Sequence, residues 1–235
     1  MTTKHLARSA EPDVAEVAAL IGDPGRAAML LALFDGGELT ASDLALRGGM
    51  TPQAATAHLK KLIVAGLLAG RAQGRHRFFR LTSADVAHAI EALTAIAKPA
   101  RITALDQSRS LERMRLARTC YDHLAGRLGV AVTEHLVERG AIEPAGADFL
   151  LGRHGRRIFS SLEIDVEAVR AHRRRFARAC VDWTERRAHL AGGLGASVLD
   201  CFLRNRWVAR NATDRALRIT PEGARQLAAR FGFEW

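Results

Sequence analysis

The strongest constraint on the fold comes from residues 39–68, which read as two short helices joined by a tight turn. Thr40 is a favoured N-cap residue, and Asp43, three positions later, completes a capping box for the first helix. A glycine pair at positions 48 and 49 ends that helix, because glycine accepts the left-handed backbone found after a helix C-terminus. The segment therefore predicts a short helix and a turn, followed by a second helix.

The second helix is amphipathic. Thr51 caps it, and Pro52 occupies the first helical position, where a missing N–H costs nothing. Ala55, Leu59 and Leu62 then fall on one face at i, i+4 and i+7. A helix-turn-helix of this form lays its second helix in the major groove of DNA.

A β-hairpin with a basic tip is predicted directly after this helix. Its turn is Gln73-Gly74-Arg75, and its second strand covers residues 76–81. Between positions 60 and 80 there are six Lys/Arg and no Asp or Glu, which suits contact with phosphates. The alternative is a solvated face on an unrelated small domain, but it does not explain the order of cap, turn, helix and hairpin. The residues expected to contact DNA are Thr51, Gln53, Ala54, Thr56, Ala57, His58, Lys60, Lys61, Arg75, His76 and Arg77.

These residues resemble the ArsR family of bacterial transcriptional regulators. That family carries a string close to S-x-H-L-x-x-L-x-x-A-G-L-V in its second helix and a Y-x-L strand at the end of the hairpin, or wing. The matching positions here are Thr56, His58, Leu59, Leu62, Ala65, Gly66, Leu67 and Phe79-Arg80-Leu81. The resemblance implies a dimer whose interface uses the first helix and the helix after the wing, residues 83–97.

The C-terminal half of the chain repeats itself. Residues 115–129 read RLARTCYDHLAGRLG, and residues 175–195 read RFARACVDWTERRAHLAGGLG, with six extra residues inside the second copy. A period above 60 residues is too long for a solenoid repeat. We therefore expect two copies of one supersecondary module, with the repeated strings on equivalent helices related by a pseudo-two-fold axis.

The repeated strings also resemble those of long ArsR-type regulators, and this resemblance covers essentially the whole chain. It implies a built-in sensory or dimerising domain. The predicted fold is mainly α with small β-hairpins. A winged helix-turn-helix domain is expected in residues 1–98. A duplicated, degenerate winged-helix-like domain is expected in residues 99–235, with halves at about 115–165 and 175–235.

The repeated cysteines and histidines are the candidate effector site. On a helix, Cys120 and His123 at i, i+3 would share a face and could bind a metal ion. Three roles stay open: buried structural residues, a small-molecule pocket, and a metal or thiol switch. The arginines of the repeat would favour an anionic ligand. The candidate effector residues are Arg118, Cys120, His123, Cys180, Trp183 and His189.

The two metal sites known for the ArsR family do not match this sequence. The first uses a cysteine pair in the first helix of the reading motif, and residues 39–44 contain no cysteine. The second uses Asp and His on the helix after the wing. Asp85, His88 and Glu91 are present there, but their spacing does not match and no partner histidine follows.

Charge and composition agree with a nucleic-acid partner. The formal net charge is +10, with 11 Lys/Arg against 9 Asp/Glu in residues 1–98 and 24 against 16 in residues 99–235. Three cysteines form no disulfide framework. Residues 1–13 lack the apolar core typical of a signal peptide, and no apolar run approaches the roughly 20 residues of a membrane span, so the cytoplasm is the expected compartment.

The sequence as a whole predicts a sequence-specific DNA-binding regulator, a homodimeric repressor released by a signal sensed in its C-terminal domain. Its expected partners are double-stranded DNA, a second copy of the chain, and a metal or small-molecule effector. No membrane partner and no built-in cofactor are predicted. An enzyme is not predicted either, because Cys120 beside His123 lacks an oxyanion donor. Two alternatives stay open: a metal- or thiol-redox-responsive repressor using Cys120, His123, Cys180 and His189, and a constitutive architectural DNA-binding protein.

Overall fold

The computed structural model describes residues 12–98, 105–211 and 214–233, and it divides the chain into two compact units. The described part of the first unit is residues 12–31 and 38–82. The second unit contains residues 32–37 and the described residues from 83 onwards. The helix after the wing therefore groups with the C-terminal part, whereas the sequence predicts a boundary between residues 98 and 99. Residues 99–104, just after that predicted boundary, lie outside the described residues.

The first unit holds the helix-turn-helix and the wing. Its elements in chain order are α1 (Val14–Ile21), α2 (Pro24–Ala32, whose last residue belongs to the second unit), β1 (Leu39–Thr40), α3 (Ala41–Arg47), α4 (Pro52–Val64), β2 (Leu68–Gln73) and β3 (His76–Leu81).

The predicted helix caps of the first unit are confirmed. The Oγ1 atom of Thr40 accepts a hydrogen bond from the backbone N–H of Asp43, whose carboxylate accepts one from the backbone of Thr40. Thr51 caps α4 by accepting from the N–H of Ala54 at 3.3 Å. The wing strands β2 and β3 pair antiparallel, and β1 adds a short third strand beside β3. Sequence reasoning missed β1, because it is only two residues long and ends at the cap of α3.

The second unit alternates helices with short hairpins. Its elements are α5 (Ala84–Ile96), α6 (Leu105–Leu116), β4 (Arg118–Cys120), β5 (His123–Ala125), α7 (Gly126–Glu138), β6 (Ile142–Ala145), β7 (Asp148–Leu151), α8 (Gly155–Ser160), α9 (Val166–Ala171), β8 (Arg178–Val181), β9 (Ala188–Ala191), α10 (Gly192–Arg204), β10 (Val208–Arg210), β11 (Leu217–Ile219) and α11 (Pro221–Phe231). The core of this unit is apolar, and the equivalent helices α7 and α10 contribute buried residues to it at matching positions: Leu128, Val132 and Leu136 from α7, and Leu194, Val198 and Phe202 from α10.

The repeated Cys and His strings form hairpins, so the prediction that they lie on helices is wrong. Cys120 ends β4 and pairs with His123 at the start of β5. Tyr121 in the turn has φ of 60°, in the left-handed region, which a continuous right-handed helix does not use. In the second copy Cys180 pairs with His189, and the extra residues lengthen the loop between β8 and β9.

The last hairpin of each copy forms a hydrogen bond with the other copy. The N–H of Leu217, in the last hairpin of the second copy, donates to the carbonyl of Ala117 in the first copy at 2.8 Å. The equivalent N–H of Phe149, in the first copy, donates to the carbonyl of Ala177 in the second copy at 3.1 Å. Matching hydrogen bonds thus join opposite copies, which gives the unit a pseudo-two-fold arrangement.

Two equivalent glycines allow each first hairpin to run directly into a helix. Gly126 and Gly192 have φ of 74° and 80°, values that favour glycine. A Cβ atom at these positions would lie 2.7 Å from the carbonyl oxygen of Arg115 and 2.8 Å from that of Arg175, respectively. The backbone therefore packs closely at the Ala-Gly step in both copies.

No helix within the described ranges is long and apolar enough to cross a membrane.

Candidate functional site

The exposed face of α4 carries most of the predicted DNA-contacting residues. Ala55, Leu59 and Leu62 are buried, as their spacing predicted. The opposite face is open to solvent: Thr51, Gln53, Thr56, Ala57, Lys60 and Lys61 are exposed, and Ala54 is partly exposed. The helix is thus anchored by its apolar face and presents its early turns outward.

Side chains on this face differ in how free they are to bind bases. The Oγ1 atom of Thr56 donates to the carbonyl oxygen of Pro52 at 2.9 Å, so its hydroxyl already has a partner within α4. The side chain of Gln53 makes no hydrogen bond in the described part of the chain. Of these two side chains, Gln53 is therefore the one whose hydrogen-bonding groups are free.

His58 is held inside the first unit. Its Nδ1 atom lies 3.0 Å from Nη1 of Arg26, and its side chain is 24% exposed. The same arginine donates to the carbonyl oxygens of Ala19 and Leu20 at the end of α1. His58 thus helps to connect α4 to the preceding helices, which limits its reach towards DNA.

Some arginine side chains of the wing are paired with a carboxylate, and others are not. Arg71 lies 2.6 Å from the carboxylate of Glu38, which lowers the pKa of Glu38 and raises that of Arg71. Arg80 lies 3.9 Å from the same carboxylate. Arg75 and Arg77 are exposed at the tip, and no carboxylate among the described residues pairs with either. The uncompensated positive charge of the wing is therefore concentrated at its tip.

A second candidate site lies inside the second unit, where the two repeats meet. The Sγ atoms of Cys120 and Cys180 are 3.9 Å apart, and the Nε2 atoms of His123 and His189 are 3.2 Å apart. The four possible ligand atoms all lie within 4.8 Å of one another, and all four residues are buried. The structure thus brings together four of the six candidate effector residues.

Each histidine of this cluster has an aspartate beside its other ring nitrogen. Nδ1 of His123 lies 3.3 Å from Oδ1 of Asp122. Nδ1 of His189 also lies 3.3 Å from Oδ2 of Asp182, although the ring orientation leaves that nitrogen without a hydrogen bond. Burial opposes ionisation of both aspartates, but the neighbouring histidine and arginine lower the pKa of each.

The cluster is strongly coupled electrostatically. Burial and the contact with Cys180 raise the pKa of the Cys120 thiol. The hydrogen bond from Cys120 lowers the pKa of Cys180 against the effect of burial, and the two histidines lower it further. Burial would lower the pKa of His189, but Asp182 and Cys180 raise it to about 9. The ionisation of Cys180 and that of His189 are therefore coupled through their contact.

Arg118 and Trp183 stand apart from the four cluster residues. Arg118 is fully buried and donates to Oδ2 of Asp182 at 2.9 Å, with its guanidinium 4.8 Å from the centre of the Trp183 ring. Asp182 already compensates the charge of Arg118, which argues against the expectation that this arginine favours an anionic ligand. Its contacts instead hold the loop after β8 against the end of α6, since Nη1 also donates to Thr184 and to the carbonyl of Met114.

Comparisons with known proteins identify the family. A family model described as MarR family matches residues 23–77. The HTH-type transcriptional regulator YdfF of Bacillus subtilis (strain 168) is 42% identical over 212 residues, which cover 90% of this chain and 94% of YdfF. The chain belongs to the HTH-type transcriptional regulators. Its DNA-binding fold is the winged helix-turn-helix.

Solved structures of other regulators also resemble the chain. NolR from Sinorhizobium fredii is 26% identical, with a TM-score of 0.33, and the match covers 37% of this chain and 85% of NolR. The transcriptional repressor BigR from Xylella fastidiosa is 25% identical, with a TM-score of 0.34, covering 37% of this chain and 88% of BigR.

Sequence reasoning on this regulator missed the carboxylates that shape both sites. Glu38 precedes the helix-turn-helix, and only the tertiary fold shows that it neutralises Arg71. Asp122 and Asp182 were visible as repeated residues, but their proximity to the histidines depends on the hairpin turns. His88 on α5 was considered as a metal ligand and instead accepts from Nη1 of Arg178 at 2.8 Å.

Proposed function

We propose that this HTH-type regulator is a homodimeric, sequence-specific repressor of the ArsR type. It reads DNA with α4 and the wing and is released by a signal received in its C-terminal part. The observation that carries the proposal is the exposed face of α4, where Gln53 is free to bind a base and Lys60 and Lys61 follow on the same helix. Bases would be read at Gln53, Ala54, Thr56 and Ala57. Phosphates would be bound by Lys60, Lys61, Arg75 and Arg77, with Thr51 and His76 at the edges of the surface.

Exposed apolar residues support dimerisation. In α1, Val14 is 73% exposed, and in α5 Ile96 is 80% exposed and Leu93 43% exposed. Ile90 on α5 is buried, so the apolar stripe of this helix divides between the core and the surface. The ArsR resemblance implies an interface built from these two helices, and the exposed residues would supply its apolar contacts.

The proposed compartment is the cytoplasm, where the DNA target is found and where the free cysteines of the cluster would stay reduced.

Selection of binding sites from a random duplex library tests the proposal. One short helix reads few bases, so a dimer should enrich a near-palindromic site with half-sites about one helical turn apart. Sedimentation of the free protein at micromolar concentration should show a dimer. Equal binding to all sequences would instead indicate an architectural DNA-binding protein, and a monomer with full operator affinity would contradict the dimeric model.

A further inference from the structure

We propose that Cys120, His123, Cys180 and His189 form a closed, tetrahedral zinc site that joins the two repeats of the second unit. The proposal concerns metal binding alone, so it stands or falls independently of DNA recognition.

The sulfur–sulfur distance and the nitrogen–nitrogen distance both match those around a tetrahedral zinc ion. With zinc–sulfur bonds of about 2.3 Å and zinc–nitrogen bonds of about 2.05 Å, a tetrahedral angle places two sulfurs about 3.8 Å apart and two nitrogens about 3.3 Å apart. The observed separations are 3.9 Å between the cysteine sulfurs and 3.2 Å between the Nε2 atoms. Within each of these two pairs the ligand atoms are therefore already spaced to bind one ion.

The surroundings of the histidines favour a cation between them. A histidine that binds a metal usually presents its other ring N–H to a carboxylate or carbonyl group. Here Nδ1 of His123 lies 3.3 Å from Asp122 and Nδ1 of His189 lies 3.3 Å from Asp182, although only the first pair has the geometry of a hydrogen bond. When each Nδ1 atom carries the ring proton, the two Nε2 lone pairs face each other at 3.2 Å, and a shared cation turns this repulsive arrangement into two bonds.

The charge and the burial of the four side chains indicate which metal ion they would bind. Two thiolates and two neutral imidazoles neutralise a divalent cation, and so the complete site is electrically neutral in a buried environment. Two sulfur and two nitrogen donors in tetrahedral geometry are the donor set typical of zinc. Four ligand atoms within 4.8 Å of one another leave room for a single ion and exclude an organic effector from the cluster.

The symmetry of the unit explains why the site has two cysteines and two histidines. Each repeat supplies one cysteine and one histidine, and equivalent residues face each other across the pseudo-two-fold axis. An ion on this axis would join the β4–β5 hairpin of the first copy to the β8–β9 hairpin of the second. All four ligands are protein side chains and no position is left open, which is characteristic of structural zinc sites.

Metal analysis of the purified chain tests the site. For protein purified under reducing conditions, we expect inductively coupled plasma mass spectrometry to find one zinc ion per chain. Replacement of zinc by cobalt(II) should give the intense visible absorption of tetrahedral cobalt and a thiolate-to-cobalt charge-transfer band in the near ultraviolet. Cys180→Ser and His123→Gln should each weaken zinc binding more than about 100-fold, because even the loss of an outer partner of a ligand costs about 10–100-fold.

The third buried cysteine provides the matched control. Cys201 lies on α10 outside the cluster, and Cys201→Ser should keep one zinc and an unchanged cobalt spectrum. If Cys180→Ser and His123→Gln fail to fold, the cobalt spectrum of the unmodified chain still shows whether the tetrahedral site exists. A weak octahedral spectrum, the absence of bound zinc, or a Cys120–Cys180 disulfide in protein kept under reducing conditions would each overturn the proposal.

Discussion

His123 and His189 are 66 residues apart in sequence, yet their Nε2 atoms face each other at a distance of 3.2 Å. They are equivalent residues of two copies of one module, as are Cys120 and Cys180, whose sulfurs lie beside them. The duplication therefore creates a site that a single copy could not contain. It also places buried polar residues where the copies meet, and burial of such residues is unfavourable unless they are bonded or neutralised.

Asp122 should act as a positioning residue for the zinc site. Its Oδ1 atom lies 3.3 Å from Nδ1 of His123, and its other oxygen binds Arg174 at 2.7 Å. Asp122→Asn keeps the shape but removes the charge that orients the ring. We expect zinc affinity to fall by about 10–100-fold, with one zinc still bound per chain at saturation.

A zinc-competition titration with a chromophoric chelator measures this change. Asp148→Asn is the matched control, because Asp148 also pairs with an arginine, Arg175, but contacts no cluster residue. Equal zinc affinity in the two variants would remove Asp122 from the site.

Arg75 should bind a DNA phosphate, whereas Arg71 should contribute less. Arg75 is uncompensated at the tip of the wing, and Arg71 is already paired with Glu38 at 2.6 Å. Arg75→Ala should weaken binding to all sequences alike and reduce the slope of log K against log salt by roughly one. Arg71→Ala should change that slope less. Fluorescence anisotropy over a range of salt concentrations distinguishes the two, and an unchanged slope in Arg75→Ala would contradict the wing assignment.

Gln53 should read one base pair. Glutamine can bind adenine through two hydrogen bonds in the major groove, and the side chain of Gln53 is exposed on the early turns of α4. Gln53→Ala should cost about 1–3 kcal/mol of discrimination at that position and leave the other positions unchanged. Repeating the binding-site selection with this variant, and with Gln226→Ala on α11 as control, measures the change. Identical base preferences for wild type and Gln53→Ala would exclude this role.

Thr133 should stabilise the second unit through its hydroxyl group. It is 3% exposed, and its Oγ1 atom accepts from the N–H of Leu190 and donates to the carbonyl of Gly129, both at 2.8 Å. Thr133→Val keeps the side-chain volume but leaves the buried N–H of Leu190 without a hydrogen-bond acceptor. The free energy of unfolding should therefore fall by about 1–3 kcal/mol. Ser197→Ala should cost less, because that hydroxyl bonds only within its own helix. Urea denaturation compares them, and equal losses would contradict the assigned role of Thr133.

The helix-turn-helix could be predicted from the sequence because its determinants are local. Thr40, Asp43, Thr51 and Pro52 act within three residues of their own positions, and the apolar spacing of α4 requires only one helix. The wing followed from Gly74, whose φ of 57° lies in the turn between the paired strands.

The site in the second unit could be predicted only in part, because its geometry depends on contacts distant in sequence. The repeat indicated that Cys120, His123, Cys180 and His189 are equivalent in pairs. It did not show that Tyr121 turns the chain into a hairpin, or that each hairpin joins the opposite copy. Nor could it show that Arg118 is compensated by Asp182, which lies 64 residues away.

X-ray absorption at the zinc edge tests the two-cysteine, two-histidine site most directly. For zinc-loaded protein we expect two sulfur neighbours at about 2.3 Å and two nitrogen neighbours at about 2.0–2.1 Å. A zinc ion surrounded only by nitrogen and oxygen, with no sulfur in its coordination sphere, would contradict the site.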